Sequence, residues 1–201
     1  GSKVSTKLDL LKNLVTRLDK LAIGGGMANT FLFAQGHDVG SSYCEKDLAE
    51  TAREIIRLAG QNKCELLLPI DIVVAEQMAA GVPTRVRGLG QVDEGERILD
   101  AGPESVARLK KAMAASKTLI WNGPLGVFEI PPFDKGTVEA AKEAAKLAKE
   151  GNQWRVVKDS RYNRRISGNA PMRISGPAAG HERMRTNADP TGTRSFGTLN
   201  N

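Results

Sequence analysis

The sequence predicts a three-layer α/β/α domain with a mostly parallel sheet over residues 1–151, followed by a basic segment poor in regular structure. Three observations predict it. Short apolar runs near residues 20–23, 64–69 and 117–121 alternate with stretches whose apolar residues recur at helical spacing. Leu66-Leu67-Leu68 is apolar at consecutive positions, as in strands buried on both faces. Glycine-rich loops follow two of these strands, at the sheet edge where open α/β domains place their ligands.

Taken in order, Leu8, Leu11, Leu14, Val15 and Leu18 mark a first helix. Lys20-Leu21-Ala22-Ile23 reads as a short strand ending at the triple glycine Gly24-Gly25-Gly26, and a helix is expected from Asn29 to Ala34. Glu45 to Ala59 is rich in helix formers. Cys64 to Pro69 is a strand, and Ile72-Val73-Val74-Ala75 a further extended piece. Residues 81–100, with several glycines and irregular polarity, predict an excursion at the sheet edge. Glu104 to Ala115 is helical, residues 117–121 form a strand, and Asp134 to Lys149 carries Val138, Ala141, Ala145 and Ala148 on one face.

With 201 residues of which 40% are hydrophobic, the chain can build one ordinary core, and no run is apolar enough to span a membrane. Cys44 and Cys64 follow no metal or redox spacing, which predicts a reducing, cytoplasmic compartment. Gly1-Ser2-Lys3-Val4 has none of the features of a signal peptide. The net charge of +6 belongs to one end. Residues 1–151 hold 20 basic and 20 acidic side chains, whereas residues 152–201 hold 9 basic and 3 acidic ones. That segment contains six Leu, Ile, Val or Phe in fifty positions, a composition that predicts disorder. Its arginines, such as Arg161, Arg164 and Arg165, lack interleaved aromatics, so a nucleic-acid partner is not expected.

Four features bear on chemistry. Gly24-Gly25-Gly26 stands between a strand and a helix, where it serves either as a tight turn or as an approach for a ligand phosphate to a helix start. Asn122-Gly123-Pro124-Leu125-Gly126-Val127-Phe128-Glu129 leaves a strand through two glycines and a proline. As a ligand wall, its proline stiffens a pocket, Phe128 offers an apolar surface and Glu129 can accept hydrogen bonds from sugar hydroxyls; as a plain turn, Phe128 enters the core and Glu129 caps a helix. Lys3 and Lys7, four apart just before a helix, share one face and either reach one phosphate chain or stand as two ordinary lysines of a solvated helix start. Asp71 and Asp100 follow apolar segments and read as surface carboxylates, while His37 and His181 have no partners at catalytic or metal spacing.

Together these motifs resemble the C-terminal, nucleotide-binding domain of phosphoglycerate kinase. The resemblance is carried by Gly1-Ser2-Lys3-Val4-Ser5-Thr6-Lys7, Ile23-Gly24-Gly25-Gly26-Met27-Ala28-Asn29-Thr30-Phe31 and Leu66-Leu67-Leu68-Pro69-Ile70-Asp71. It continues through Gly102-Pro103-Glu104-Ser105 and the run from Trp121 to Glu129, and it covers residues 1 to about 151 in register. It implies a Rossmann-like fold and reversible phosphoryl transfer between 1,3-bisphosphoglycerate and Mg-ADP, giving 3-phosphoglycerate and Mg-ATP in glycolysis. It further implies that Lys3, the catalytic candidate, and Lys7 face the nucleotide phosphates. Gly1, Gly25 and Gly26, with Ser2 in the same motif, would shape the adenine site, and Asn122 would lie near the phosphates. Pro124, Gly126, Val127 and Phe128 would line the nucleoside pocket, and Glu129 would bind the ribose.

Two departures from the family pattern stand out. The N-terminal domain that binds phosphoglycerate in the family, and supplies a catalytic arginine, is not among these residues. After Gly151 the family's Gly-Gly-Gly-Asp-Thr loop is replaced by Asn152-Gln153-Trp154-Arg155-Val156-Val157-Lys158-Asp159-Ser160, so no metal ligand is assigned. The expectation is therefore a partial, monomeric kinase domain that binds ATP or ADP weakly and does not turn over alone, with residues 152–201 foreign to the family. The alternative is a non-catalytic nucleotide-binding module whose basic tail recruits an acidic partner or nucleic acid.

Overall fold

In the computed structural model, Val4, Ser5, residues 7–149 and the two strands at residues 153–156 and 195–199 are described. The elements follow the order α1 (Leu8–Val15), β1 (Leu18–Ile23), α2 (Gly25–Ala34), a 3-10 turn (Lys46–Leu48), α3 (Ala49–Gln61), β2 (Glu65–Leu67) and β3 (Asp71–Ala75). They continue with β4 (Arg85–Gly88), β5 (Arg97–Ala101), α4 (Pro103–Ala114), β6 (Thr118–Asn122), α5 (Lys135–Lys149), β7 (Gln153–Val156) and β8 (Ser195–Leu199).

The main sheet has the order β2-β1-β8-β6-β7, and each of its pairings is parallel. Side-chain alternation along β1 explains the three layers. Leu21 and Ile23 enter a core with Leu11 and Val15 of α1, Met27 and Phe31 of α2, and Ile55 of α3. Ala22, between them, faces a second core containing Leu109 and Met113 of α4, Trp121 of β6, and Ala140, Ala144 and Leu147 of α5. The run of alanines in α5 lets that helix lie close to the sheet. Two helical layers thus enclose a mostly parallel sheet, as expected.

Two expectations need correction. The glycines do not precede α2 as a loop, because Gly25 and Gly26 form its first turn, four residues earlier than periodicity alone suggested. Gly25 holds φ at +64°, a value that side-chain-bearing residues avoid, so the chain can turn and start the helix at once. The excursion after residue 75 is a second sheet, antiparallel and ordered β4-β3-β5, so Ile72–Ala75 does not join the main sheet.

The segment after residue 151 is described only in part. Nine of its residues are strands of the main sheet, and β8 lies between β1 and β6, where both would otherwise present open edges. Strand pairing is a backbone property, so a segment with few apolar side chains can still supply it. The rest of that segment, with Arg161, Arg164, Arg165 and His181, lies outside the described residues.

Candidate functional site

The two glycine loops meet at the carboxyl ends of β1 and β6. Gly25 donates its N–H to the Leu125 carbonyl at 2.8 Å. A Cβ on Gly24 would stand 3.2 Å from the Leu125 Cα, so the loops pack backbone against backbone. Leu125 donates in turn to the Thr137 Oγ1 at 2.9 Å, which ties the same residue to the start of α5. Two residues on, Val127 donates to the Leu99 carbonyl of β5 at 2.8 Å. Trp121 donates its indole N–H to the Gly123 carbonyl and closes the turn leaving β6. The loop from Asn122 to Glu129 is therefore held by α2, α5 and β5 together.

Between them lies a cleft of about 290 Å³. Gly25, Gly26, Pro124, Gly126, Val127 and Glu129, all predicted site residues, are on its wall. Glu129 is exposed on that wall. Asn122 ends β6 and is half-buried, and Phe128 packs against the α4–α5 core; neither is on the wall. Lys7 immediately precedes α1, and burial pulls its ammonium below the ordinary lysine value. Gly1, Ser2 and Lys3 lie outside the described residues. The segment that follows them is anchored: Ser5 donates its hydroxyl to Glu45 Oε1 at 2.6 Å, and the Glu45 N–H donates to Thr30 Oγ1 of α2 at 3.1 Å.

Sequence reasoning missed several residues here. Asp71 and Asp100 are not surface carboxylates; they are 6% and 3% exposed. Asp71 caps α4, accepting from the N–H groups of Glu104 at 3.0 Å and Ser105 at 2.6 Å. Asp100 accepts from the N–H of Gly136 at 2.7 Å, in the first turn of α5, and from that of Ala101 at 2.9 Å. Burial pushes the Asp100 carboxyl up to about 7; its two backbone donors oppose that rise, and the nearby Asp134 charge adds to it. Gly126 lies directly on this carboxylate, since a Cβ there would be 2.4 Å from Asp100 Oδ1. Asn29, Ser42 and Tyr43 also reach the cleft, and no spacing rule marks them. Tyr43 is half exposed there.

The fit to a nucleotide rests on this wall: flat glycine backbone at a helix start and an apolar flank at Val127 and Leu99. No group of three His, Cys, Asp or Glu side chains converges among the described residues. No helix among the described residues is long and apolar enough to cross a membrane.

Comparison with known proteins agrees with this geometry. The family model for phosphoglycerate kinase matches residues 1–160. A second model, alkaline phosphatase PhoX, matches residues 127–201, well under half of the chain, and assigns no family. Phosphoglycerate kinase of Caulobacter vibrioides strain NA1000 is 71% identical over 151 residues, which are 75% of this chain and 38% of that protein. That of Maricaulis maris is 56% identical over the same extent. The chain thus spans well under half the length of the curated relatives it matches.

Among solved structures, phosphoglycerate kinase from Coxiella burnetii superimposes with a TM-score of 0.73 at 41% identity, over 78% of this chain and 39% of that one. The enzyme from Pyrococcus horikoshii gives 0.59 at 26% identity, over 72% and 37%. Motifs in register, joined glycine loops and a family match over most of its length lead to one conclusion: the chain belongs to the phosphoglycerate kinase family.

Proposed function

We propose that this chain carries the nucleotide-binding part of the phosphoglycerate kinase reaction, the reversible transfer of a phosphoryl group between 1,3-bisphosphoglycerate and ADP that yields 3-phosphoglycerate and ATP. The observation that supports this best is the cleft formed where the Gly25 N–H meets the Leu125 carbonyl, in a chain that belongs to this family. Gly25 and Gly26, with Gly1 and Ser2, shape the base site, because glycine lets a planar ring approach the main chain. Pro124, Gly126, Val127 and Phe128 form or back the nucleoside wall, and Glu129 at the rim accepts from the ribose hydroxyls.

Lys3 and Lys7 face the phosphates, with Lys3 nearest the transferred group and Asn122 close by. A lysine ammonium stabilises the charge that spreads over the phosphoryl oxygens during transfer. Magnesium enters with the nucleotide, held by its phosphates, as this ion retains most of its water and takes few protein ligands. The residues proposed to contact nucleotide lie within 1–151, and the basic segment 152–201, which completes the main sheet through residues 153–156 and 195–199, is foreign to the family's reaction.

As a separate polypeptide the 201 residues bind nucleotide weakly and do not turn over, because transfer requires phosphoglycerate to be held in line with the nucleotide. Isothermal titration with Mg-ADP tests the phosphate role: Lys3→Ala weakens binding about tenfold, the worth of one charge-assisted contact. Equal affinities for the two proteins would refute it. A coupled assay with native-level turnover would overturn the proposed inactivity.

A further inference from the structure

A turn separates the two lysines proposed to face the phosphates. Lys7 donates its N–H to the Val4 carbonyl at 2.9 Å, and the Lys7 carbonyl accepts from the Leu11 N–H at 2.8 Å, so α1 itself holds the Lys7 end. The N–H groups of Val4 and Ser5, on the Lys3 side, precede the helix and need partners from elsewhere. Glu45 supplies them. Its Oε2 accepts from the Val4 N–H and, at 3.3 Å, from the Ser5 N–H, while its Oε1 accepts from the Ser5 hydroxyl at 2.6 Å. One carboxylate thus takes three donors from two consecutive residues, a two-oxygen grip that fixes direction as well as position.

Glu45 is tied down in its turn. Its N–H donates to Thr30 Oγ1 at 3.1 Å, and its carbonyl accepts from the Leu48 N–H at 3.0 Å in the 3-10 turn. Thr30 is fully buried in α2, the helix whose first turn carries Gly25 and Gly26 on the cleft wall. The Val4 side chain is fully buried in the core with Leu11 and Met27, so the same backbone is pinned from its apolar side. We propose that Glu45 is a positioning residue for phosphoryl transfer: its carboxylate fixes the backbone at Val4 and Ser5 and thereby aims the Lys3 ammonium at the nucleotide phosphates. A lysine on a flexible stem stabilises developing charge only when its anchor is held in place beforehand. Glu45 itself touches no reacting atom. This role presupposes the reading of Lys3 as the phosphate-facing lysine.

A double-mutant cycle tests it, with isothermal titration of Mg-ADP into the full chain as wild type, Lys3→Ala, Glu45→Ala and the double variant. Glu45→Ala should weaken binding about fivefold, less than the roughly tenfold assigned to Lys3, because it acts through that residue. In the Lys3→Ala background the same substitution should cost less than about twofold, whereas a merely structural defect lowers affinity equally in both backgrounds. Glu45→Gln keeps an oxygen for the two N–H groups and an amide that meets the Ser5 hydroxyl, and should restore affinity to within about twofold of wild type. Losses that multiply in the double variant, or a Gln variant as weak as the Ala variant, overturn the positioning role. If Lys3→Ala binds Mg-ADP as tightly as wild type, the phosphate reading of Lys3 falls and this role with it. If Lys3→Ala is weakened and Glu45→Ala is not, the reading of Lys3 stands and the role of Glu45 alone is overturned. Should Glu45→Ala not fold, as judged by circular dichroism, Ser5→Ala replaces it in the cycle, removing one of the three bonds at an exposed position. It should cost about threefold with Lys3 present and nothing measurable without it, and equal losses in the two backgrounds overturn the proposal.

Discussion

Replacing Asp100 with asparagine should change how the stability of this domain depends on pH, and the sign can be worked out from the structure. The carboxyl is 3% exposed and its pKa is pushed up to about 7, above the ordinary aspartate value of 3.8. The folded state therefore retains a proton that the unfolded chain releases above about pH 4. Stability that is fully present below the unfolded value is lost as pH rises toward 7. Between pH 5 and pH 8 the loss attributable to this one group is roughly 2.5 kcal/mol.

Asparagine is neutral throughout, so this loss should vanish in Asp100→Asn. It keeps one acceptor oxygen for two backbone donors, Gly136 and Ala101, and gives up about 1 kcal/mol for the missing bond. The variant should be less stable than wild type at pH 3 by about 1 kcal/mol, match it at about pH 4.5, and be more stable at pH 8 by roughly 3 kcal/mol. Urea denaturation at half-unit pH intervals, with the two proteins compared so that other titrating groups cancel, measures the crossing. Parallel stability curves from pH 5 to pH 8 would refute the reasoning.

Two further substitutions test how the site is supported. Gly126→Ala places a Cβ 2.4 Å from Asp100 Oδ1 and 2.5 Å from the Leu99 carbonyl, and should cost about 1–3 kcal/mol in urea unfolding together with weaker Mg-ADP binding; unchanged stability would show that the loop does not rest on β5. Ser105→Ala removes the hydroxyl that accepts from the N–H groups of Ile70 at 2.8 Å and Asp71 at 3.0 Å. A loss of about 1–2 kcal/mol is expected, with nucleotide affinity unaltered because Ser105 is not on the cleft wall; a coupled fall in affinity would contradict the separation of the α4 cap from the site.

Much of the layer structure was legible because periodicity reports burial. Leu21 and Ile23 alternate with Ala22, and the two sets do enter different cores. Both glycine loops were readable as turns at strand ends, a local feature, and both line one cleft. Contacts between distant residues were not readable. Asp71 and Asp100 serve helix starts 33 and 36 positions away, and no local pattern distinguishes such a cap from a surface carboxylate. Asn29 was visible only as a residue of the triple-glycine motif, since its bond to the Tyr43 carbonyl fourteen positions on is not a local feature. β7 and β8 escaped notice because composition reports side chains, whereas their place in the sheet comes from backbone pairing.

The position of β8 has a kinetic consequence. Leu18–Ile23 and Thr118–Asn122 lie on either side of it, so the two halves of the sheet are joined through residues 195–199. Chain closure across so long a separation is slow, because its entropy is lost before the new contacts form. Until that closure, β1 with β2 and β6 with β7 would persist as separate two-stranded ribbons, each with a bare edge. The vulnerable interval in this domain's folding is thus set by its middle strand, and a chaperone or a second chain that pairs with either edge during that interval would compete directly with the native sheet.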